Sequence, residues 1–195
     1  MVYCCTAICL KAQELDSALQ LKVGTKLLYT YEIDNKLYRN TFIVEIKSIT
    51  PTFSFHWSLS KPIIKSGNIE ISKKALSKGS SFSTSFSGGD LLLTNQTSMV
   101  LSRKLFRNLS KNEKKIKLSV NYGKPIIEPF FVVDSGSSAF KKTIINCNKK
   151  QILLKNYTLE NNNKTKVVSV WDNASFPILL YLETDSKMFL EEIIL

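Results

Sequence analysis

The one pattern in this sequence that suggests a reactive carboxylate is FVVDSGSS at residues 131–138, where a hydrophobic run leads into Asp134-Ser135-Gly136. Hydrolysis by aspartates at such a turn uses two carboxyl groups, one protonated and one ionised. Two carboxyl groups held close together keep one proton between them, because like charges at that distance cannot both ionise. The chain has a single copy of the pattern, and no glycine follows Gly136. A strand end followed by a Ser/Gly turn therefore explains these residues best. A hydrolase using Asp134 is a weaker alternative than the two non-enzymatic functions given at the end of this section.

Other reactive groups are equally isolated. The chain has one histidine, His56, and one cysteine beyond the first nine residues, Cys147. A Ser-His-Asp triad would need His56, yet no Gly-x-Ser-x-Gly motif is present. Neither zinc-ligand spacing nor an alternating Asp/Asn calcium loop occurs. The sequence thus predicts a protein that is not an enzyme, with no catalytic residue, metal site or cofactor.

Aromatic residues are the more informative feature, since 20 of 195 residues are Phe, Tyr or Trp. After Pro51, three aromatics alternate with polar residues, which predicts a strand with the aromatics on one face and His56 on the other. Such a stripe forms either plain core or the wall of a cavity for an apolar ligand. Residues 77–90 are rich in Ser and Gly and predict a long mobile loop that could act as a lid. The predicted ligand-facing residues are Phe53, Phe55, Trp57, Phe82 and Phe86.

The elements that must position these residues are mainly strands. Alternating runs at 26–33 and 37–49, at 151–160 and 165–171, and at 177–183 and 187–195 each flank a polar turn, which predicts three hairpins. Helices are predicted only at residues 102–111, capped by Ser102, and at residues 72–78. The predicted fold is a mainly β domain: a curved antiparallel sheet, either a half-barrel or an open barrel, with one or two short helices.

Charge is unevenly distributed along the chain. The net charge of +11 arises within residues 101–166, which hold 15 Lys+Arg against 4 Asp+Glu. Of the 27 cations 24 are Lys, whereas bidentate recognition of phosphate and bases relies on Arg. Specific nucleic-acid binding is therefore not predicted. The basic 101–166 region is interpreted as solvated surface, with a polyanion, an anionic membrane or an acidic protein partner as the alternative.

The first residues resemble part of an export signal. An apolar run at residues 2–10 is too short to span a bilayer, which takes roughly 20 residues, but fits the hydrophobic region of a secretory leader. We therefore expect residues 1–12 to be a signal-peptide remnant, cut before Gln13, and residues 13–195 to form one β-rich domain. The alternative is that residues 2–10 form a buried element. No other segment approaches transmembrane length, and the expected location is the periplasm or cell envelope.

Three segments carry a resemblance to known proteins: residues 97–109, residues 167–180, and Leu190-Glu191-Glu192-Ile193. Their order resembles exported bacterial β-rich proteins related to the LolA/LolB-like lipoprotein-carrier half-barrel. The resemblance implies a curved antiparallel sheet around a few helices, with an apolar groove on its concave side and no catalytic residue. The sequence of this chain predicts fewer helices than those carriers have. The expected function is a non-enzymatic exported binding or carrier protein for a lipid-like ligand; the alternative is an envelope structural or protein-interaction domain without a small-molecule ligand.

Overall fold

The computed structural model describes residues 19–33, 38–60, 64–84, 86, 88–111, 113–121, 127–133 and 141–195. The fold is mainly β, with two short helices and a curved sheet that closes into a barrel-like arrangement. The predicted fold class is therefore confirmed. In chain order the elements are β1 (Lys26–Ile33), β2 (Tyr38–Ser48), β3 (Phe53–Leu59), β4 (Lys65–Ile71), α1 (Lys73–Lys78), β5 (Ser81–Ser83), β6 (Leu91–Leu93), α2 (Arg103–Ser110), β7 (Lys115–Asn121), β8 (Glu128–Val132), β9 (Lys141–Cys147), β10 (Lys150–Asn161), β11 (Val167–Trp171), β12 (Leu179–Glu183) and β13 (Ser186–Ile194).

Two antiparallel meanders make up most of the sheet. Strands β1 to β4 pair in sequence, as do β10 to β13, and the three predicted hairpins are all present. The meanders join through β1 and β13, which pair antiparallel along eight positions from Lys26↔Ile194 to Ile33↔Ser186. The first and last described strands are thus neighbours in the sheet.

Strand β9 closes part of the sheet on itself. It forms an antiparallel hairpin with β10 and pairs in parallel with β13 at Glu192↔Asn146 and Ile193↔Cys147. Strands β9 to β13 therefore form a closed ring. The parallel pairs of β9 with β13, β4 with β6 and β5 with β7 depart from a simple up-and-down meander.

The aromatic stripe of β3 lies where its alternation predicts. Phe53, Phe55 and Trp57 share the inward face and are at most 2% exposed. His56 points to the opposite face, where its Nδ1 lies 3.1 Å from Oδ1 of Asn68. Period-two patterning thus assigned each side chain of β3 to the correct face.

Helix α2 begins and ends close to the predicted bounds. The Ser102 side chain accepts a hydrogen bond from the backbone N–H of Leu105, which satisfies one of the unpaired donors of the first turn. The helix buries Leu105, Phe106 and Leu109. Phe106 packs edge-on against Tyr157 of β10 at 6.0 Å, so the helix is held against the sheet.

A crossing segment, residues 97–102, connects distant parts of the sheet. At one end the N–H of Ser83 donates to the carbonyl of Thr97, and at the other the N–H of Leu101 donates to the carbonyl of Pro177. Every residue of the segment is buried. It therefore fixes the distance between β5 and the start of β12.

The prediction of a mobile loop at residues 77–90 is wrong for residues 81–83. These form β5, which lies between β7 and Thr97, and Phe82 is 1% exposed rather than presented to solvent. Its main-chain groups find partners in two other segments, which serine and glycine composition does not reveal. Residues 1–18, including the expected leader, lie outside the described residues, as do Asp134-Ser135-Gly136.

Candidate ligand-binding site

A cavity of about 360 Å³ lies between the start of β3, the two helices and the segment before β12. Eight of its eleven lining residues are apolar and only one is charged. We call it the apolar cavity. Its lining consists of Ile49, Thr50, Phe53, Leu76, Val100, Leu101, Arg103, Ala174, Ser175, Phe176 and Pro177.

The walls of the apolar cavity come from segments far apart in sequence. Phe53 opens β3, and its ring centroid lies 6.5 Å from that of Phe176, which precedes β12. The crossing segment contributes Val100 and Leu101, held by the hydrogen bond from Leu101 to Pro177 at 2.9 Å. Long-range pairing therefore keeps this apolar space open.

Arg103 is the single charged residue of the lining. It is the first residue of α2, directly after Ser102, whose side chain also donates a hydrogen bond of 2.5 Å to the carbonyl of Gly79 at the end of α1. Ser102 thus fixes the start of α2 against α1. Arg103 is exposed, and none of the ion pairs between described residues includes it.

The opening of the apolar cavity lies beside Arg103. Thr50, Ala174 and Ser175 are the other exposed members of the lining, whereas Val100, Leu101 and Pro177 are buried. An apolar interior with a cation at its mouth suits a ligand that has a hydrocarbon part and an anionic group. Its volume falls near the lower end of the range of roughly 300–1,000 Å³ usual for small-molecule sites.

A second cavity, of about 450 Å³, contains another of the predicted residues. Phe86, Tyr31, Met188 and Leu182 contribute to it together with polar residues of the turns, among them Thr184 and Ser186, and we call it the turn-side cavity. Seven of its eleven lining residues are polar or charged or carry a hydroxyl group. An apolar ligand therefore suits it less well than it suits the apolar cavity.

The structure divides the five predicted residues into separate groups. Phe86 lies against Trp57 at 5.4 Å between centroids and against Phe42 at 4.6 Å, whereas Phe53 packs on Phe55 at 5.8 Å and faces the apolar cavity. Of the five, Phe53 lines the apolar cavity and Phe86 lines the turn-side cavity.

The other three predicted residues have little contact with open space. Phe55, Trp57 and Phe82 are at most 1% exposed. Phe55 borders a shallow groove beside β6, although its side chain is fully buried there. A ligand-facing role for the five aromatics stays a prediction. Four of them are buried in the hydrophobic core, and Phe86 is partly buried and packs against it.

Sequence reasoning missed most of the apolar cavity. Leu76, Val100, Leu101 and Phe176 come from three segments whose meeting depends on long-range pairing. Arg103 did leave a signal, because a serine cap places the next residue at an exposed helix start, and arginine occurs only three times in the chain. Nothing in the sequence around Phe176 and Pro177 indicates that these two residues line a cavity.

Within the described ranges, no group of three or more His, Cys, Asp and Glu residues is placed to hold a metal ion. In the same part of the chain, no helix has the length and apolarity that crossing a bilayer requires. Comparison of the chain with protein-family models, with curated proteins and with solved structures returned no match.

Proposed function

We propose that this protein is a non-enzymatic binding or carrier protein that holds a single-chain anionic amphiphile, such as a fatty acid, in the apolar cavity. The observation that carries the proposal is the cavity's lining, in which eight apolar residues are joined by one cation, Arg103, at the opening. Apolar surface removed from water supplies affinity, at roughly 25 cal/mol per Å². The cation selects ligands with an anionic group.

The location of Arg103 supports this ligand orientation. The acyl chain would lie between Phe53, Phe176 and Leu101, whose side chains carry no group that can pair with a charge. The carboxylate would stay at the opening beside Arg103, where water also reaches it. This arrangement avoids burying an unpaired charge, which is costly in an apolar interior.

Export to the periplasm or cell envelope is the second part of the proposal. It rests on the apolar residues 2–10 and on the resemblance to LolA/LolB-like carriers, which implies an apolar groove on the concave side of the sheet. An exported carrier would move such ligands through an aqueous compartment. Mass spectrometry of the protein from its native source tests this part: an N-terminus at Gln13 is expected, and an intact Met1 would contradict it.

Ligand binding is tested with a fluorescent fatty acid, displaced by palmitic acid and, separately, by the uncharged hexadecanol. Ser175→Trp fills the exposed side of the opening, so it is expected to weaken both ligands at least tenfold. Arg103→Gln is expected to weaken palmitic acid about two- to fivefold and to leave hexadecanol unchanged, because an exposed ion pair contributes only about 1 kcal/mol or less.

The matched control is Arg107→Gln. Arg107 lies one turn along the same helix, is exposed, and is absent from the cavity lining. The Arg107→Gln variant should bind palmitic acid and hexadecanol with the affinities of the unaltered protein. Lack of fatty-acid binding, or equal effects of the Arg103 and Arg107 variants, would refute the proposed ligand or its orientation.

A further inference from the structure

The two helices together present an exposed basic face. Helix α1 carries Lys73, Lys74 and Lys78, and all three are exposed. The first turn of each helix lacks an acidic residue. The cations of α2 and of its C-terminal cap are likewise exposed: Arg103, Lys104, Arg107 and Lys111.

These seven cations belong to two helices that contact each other. The hydrogen bond from Ser102 to Gly79 joins the end of α1 to the start of α2. The ion pairs found among the described residues involve Arg39, Lys47, Lys166 and Lys187, and none of the seven. The basic face therefore keeps its charge available for a partner.

The basic face differs from the basic 101–166 region expected from sequence. Lys115 and Lys117 lie on β7, and Lys149 and Lys150 lie at the β9–β10 turn, so the sheet spreads that region over several surfaces. Meanwhile α1, which lies outside the region, adds three cations. Spatial proximity, and not the linear charge run, defines the surface.

The apolar cavity opens at this face. Leu76 of α1 and Arg103 of α2 belong both to the helices and to the cavity lining. Phe176, at the same opening, is only partly buried. The two helices that carry the seven cations therefore also contribute to the wall of an apolar space, with Arg103 in its lining.

We infer that the α1/α2 face docks on an anionic lipid bilayer, so that ligand passes between the bilayer and the apolar cavity without crossing water. The inference rests on the proposed function for the ligand and on charge complementarity for the partner. Clusters of four to eight Lys/Arg beside apolar surface are typical of segments that bind anionic membranes.

Two observations favour lipid over other polyanions. Five of the seven cations are lysines, which act as point charges and fit diffuse headgroup charge better than bidentate phosphate or base recognition. An apolar opening beside Arg103 has a counterpart in a bilayer, which offers acyl chains, but none in a nucleic acid or an acidic protein surface.

Vesicle co-sedimentation tests the docking. The protein should bind vesicles of phosphatidylcholine with 30 mol% phosphatidylglycerol, and bind pure phosphatidylcholine vesicles far more weakly. Binding should fall as salt rises from 50 to 500 mM. The triple variant Lys74→Glu, Lys104→Glu, Arg107→Glu should lose about 100-fold in affinity for the anionic vesicles.

A matched control changes net charge equally at another place. Lys22, Lys65 and Lys150 are exposed, lie outside both helices and form none of the ion pairs given above. Their replacement by Glu should reduce vesicle binding less than tenfold. Equal losses in the two triple variants would overturn a localised docking face, and tighter binding to DNA or polyglutamate than to vesicles would overturn a lipid partner.

Transfer kinetics separate this inference from the proposed function. Lys74, Lys104 and Arg107 do not line the cavity, so the helix variant should bind the fluorescent fatty acid in solution normally. Transfer of that fatty acid from the unaltered protein to anionic vesicles should accelerate with vesicle concentration, and the helix variant should lose the acceleration. A transfer rate independent of vesicle concentration would overturn docking while leaving ligand binding intact.

Discussion

Buried polar groups of the sheet differ in whether the protein satisfies them. Both amide atoms of Asn40, on β2 opposite Tyr31, are buried and have no hydrogen-bond partner among the residues that the structure describes. Asn156 of β10, by contrast, donates to Thr158 and Ser169 and accepts from Thr143. Because water satisfies an amide in the unfolded chain, Asn40 subtracts from stability whereas Asn156 is compensated.

Replacing Asn40 by leucine should therefore stabilise the protein. The Asn40→Leu variant is expected to gain about 1 kcal/mol in free energy of unfolding, since an unpaired buried amide costs about 1–3 kcal/mol. Urea titration measures the change. Asn156→Leu is the control and should lose about 2 kcal/mol, because it removes three side-chain hydrogen bonds, although Thr158 and Ser169 still pair with each other. A loss at Asn40 as large as that at Asn156 would mean that the Asn40 amide is paired in the folded protein and would contradict this prediction.

The pKa of Glu128 predicts a pH-dependent contribution to stability. Partial burial disfavours its charged form, but hydrogen bonds from Lys166 and Asn161 outweigh burial, so the pKa of Glu128 lies below its ordinary value. A carboxyl whose pKa is lower in the folded state stabilises the protein above its unfolded-state pKa. That stabilisation disappears as the pH falls through the folded-state pKa.

We expect Glu128→Gln to lower the unfolding free energy by about 1 kcal/mol at pH 7, as a partly exposed ion pair allows. The difference from the unaltered protein should shrink as the pH falls below about 4.5, the ordinary pKa of this side chain. Thermal unfolding between pH 3 and 7 measures it. The control, Glu70→Gln, removes an exposed carboxylate of β4 that is in none of the ion pairs given above, and should change the unfolding free energy at pH 7 by less than about 0.5 kcal/mol. A difference that stays constant with pH would contradict the role given to the Glu128 charge.

At the scale of elements, Gly67 determines how the segment containing Phe86 crosses β4. Gly67 faces inward opposite Trp57, and a methyl group there would collide with the backbone carbonyl of Gly89. The N–H of Gly89 in turn donates to the carbonyl of Ser66 at 3.3 Å. The missing side chain of Gly67 therefore lets this segment bring Phe86 onto Trp57.

Gly67→Ala should consequently displace residues 88–89 and move Phe86 away from Trp57. We expect a loss of about 1–3 kcal/mol, as for other overpacked sites, together with altered tryptophan fluorescence. Gly24→Ala is the control: Gly24 has a positive φ of 91°, but no atom lies within 4 Å of the added methyl. It should lose stability through backbone strain and keep the fluorescence. Unchanged fluorescence in the Gly67 variant would contradict the proposed contact.

Some elements can be predicted from local sequence patterns, and others depend on partners that are distant in sequence. The three hairpins, the two short helices and the inward face of β3 follow from alternation, turn residues and serine caps, which are local signals. Strand β5 could not be predicted in this way, because its partners β7 and Thr97 are distant in sequence and its serines suggest a loop. The same holds for the apolar cavity, whose walls meet only after Phe53 and Phe176 are brought together.

At the scale of the molecule, β1 and β13 decide whether the two meanders act as one unit. Their pairing is the antiparallel junction of the two halves, and Leu190 of β13 lies opposite Tyr29 of β1 with 4% exposure. A cavity at Leu190 therefore weakens a contact that both meanders need. Strand β6, at the end of the strand order with Leu92 59% exposed, carries no such contact.

Hydrogen exchange followed by mass spectrometry tests this cooperativity. Leu190→Ala should cost about 2–5 kcal/mol, and amides of β1, β2, β10 and β12 should all lose protection by that amount, because they exchange through global unfolding. Leu92→Ala should change exchange only near β6. If the Leu190 variant accelerated exchange in β13 alone, the meanders would be independent folding units, and the junction of β1 with β13 would not be what holds the molecule together.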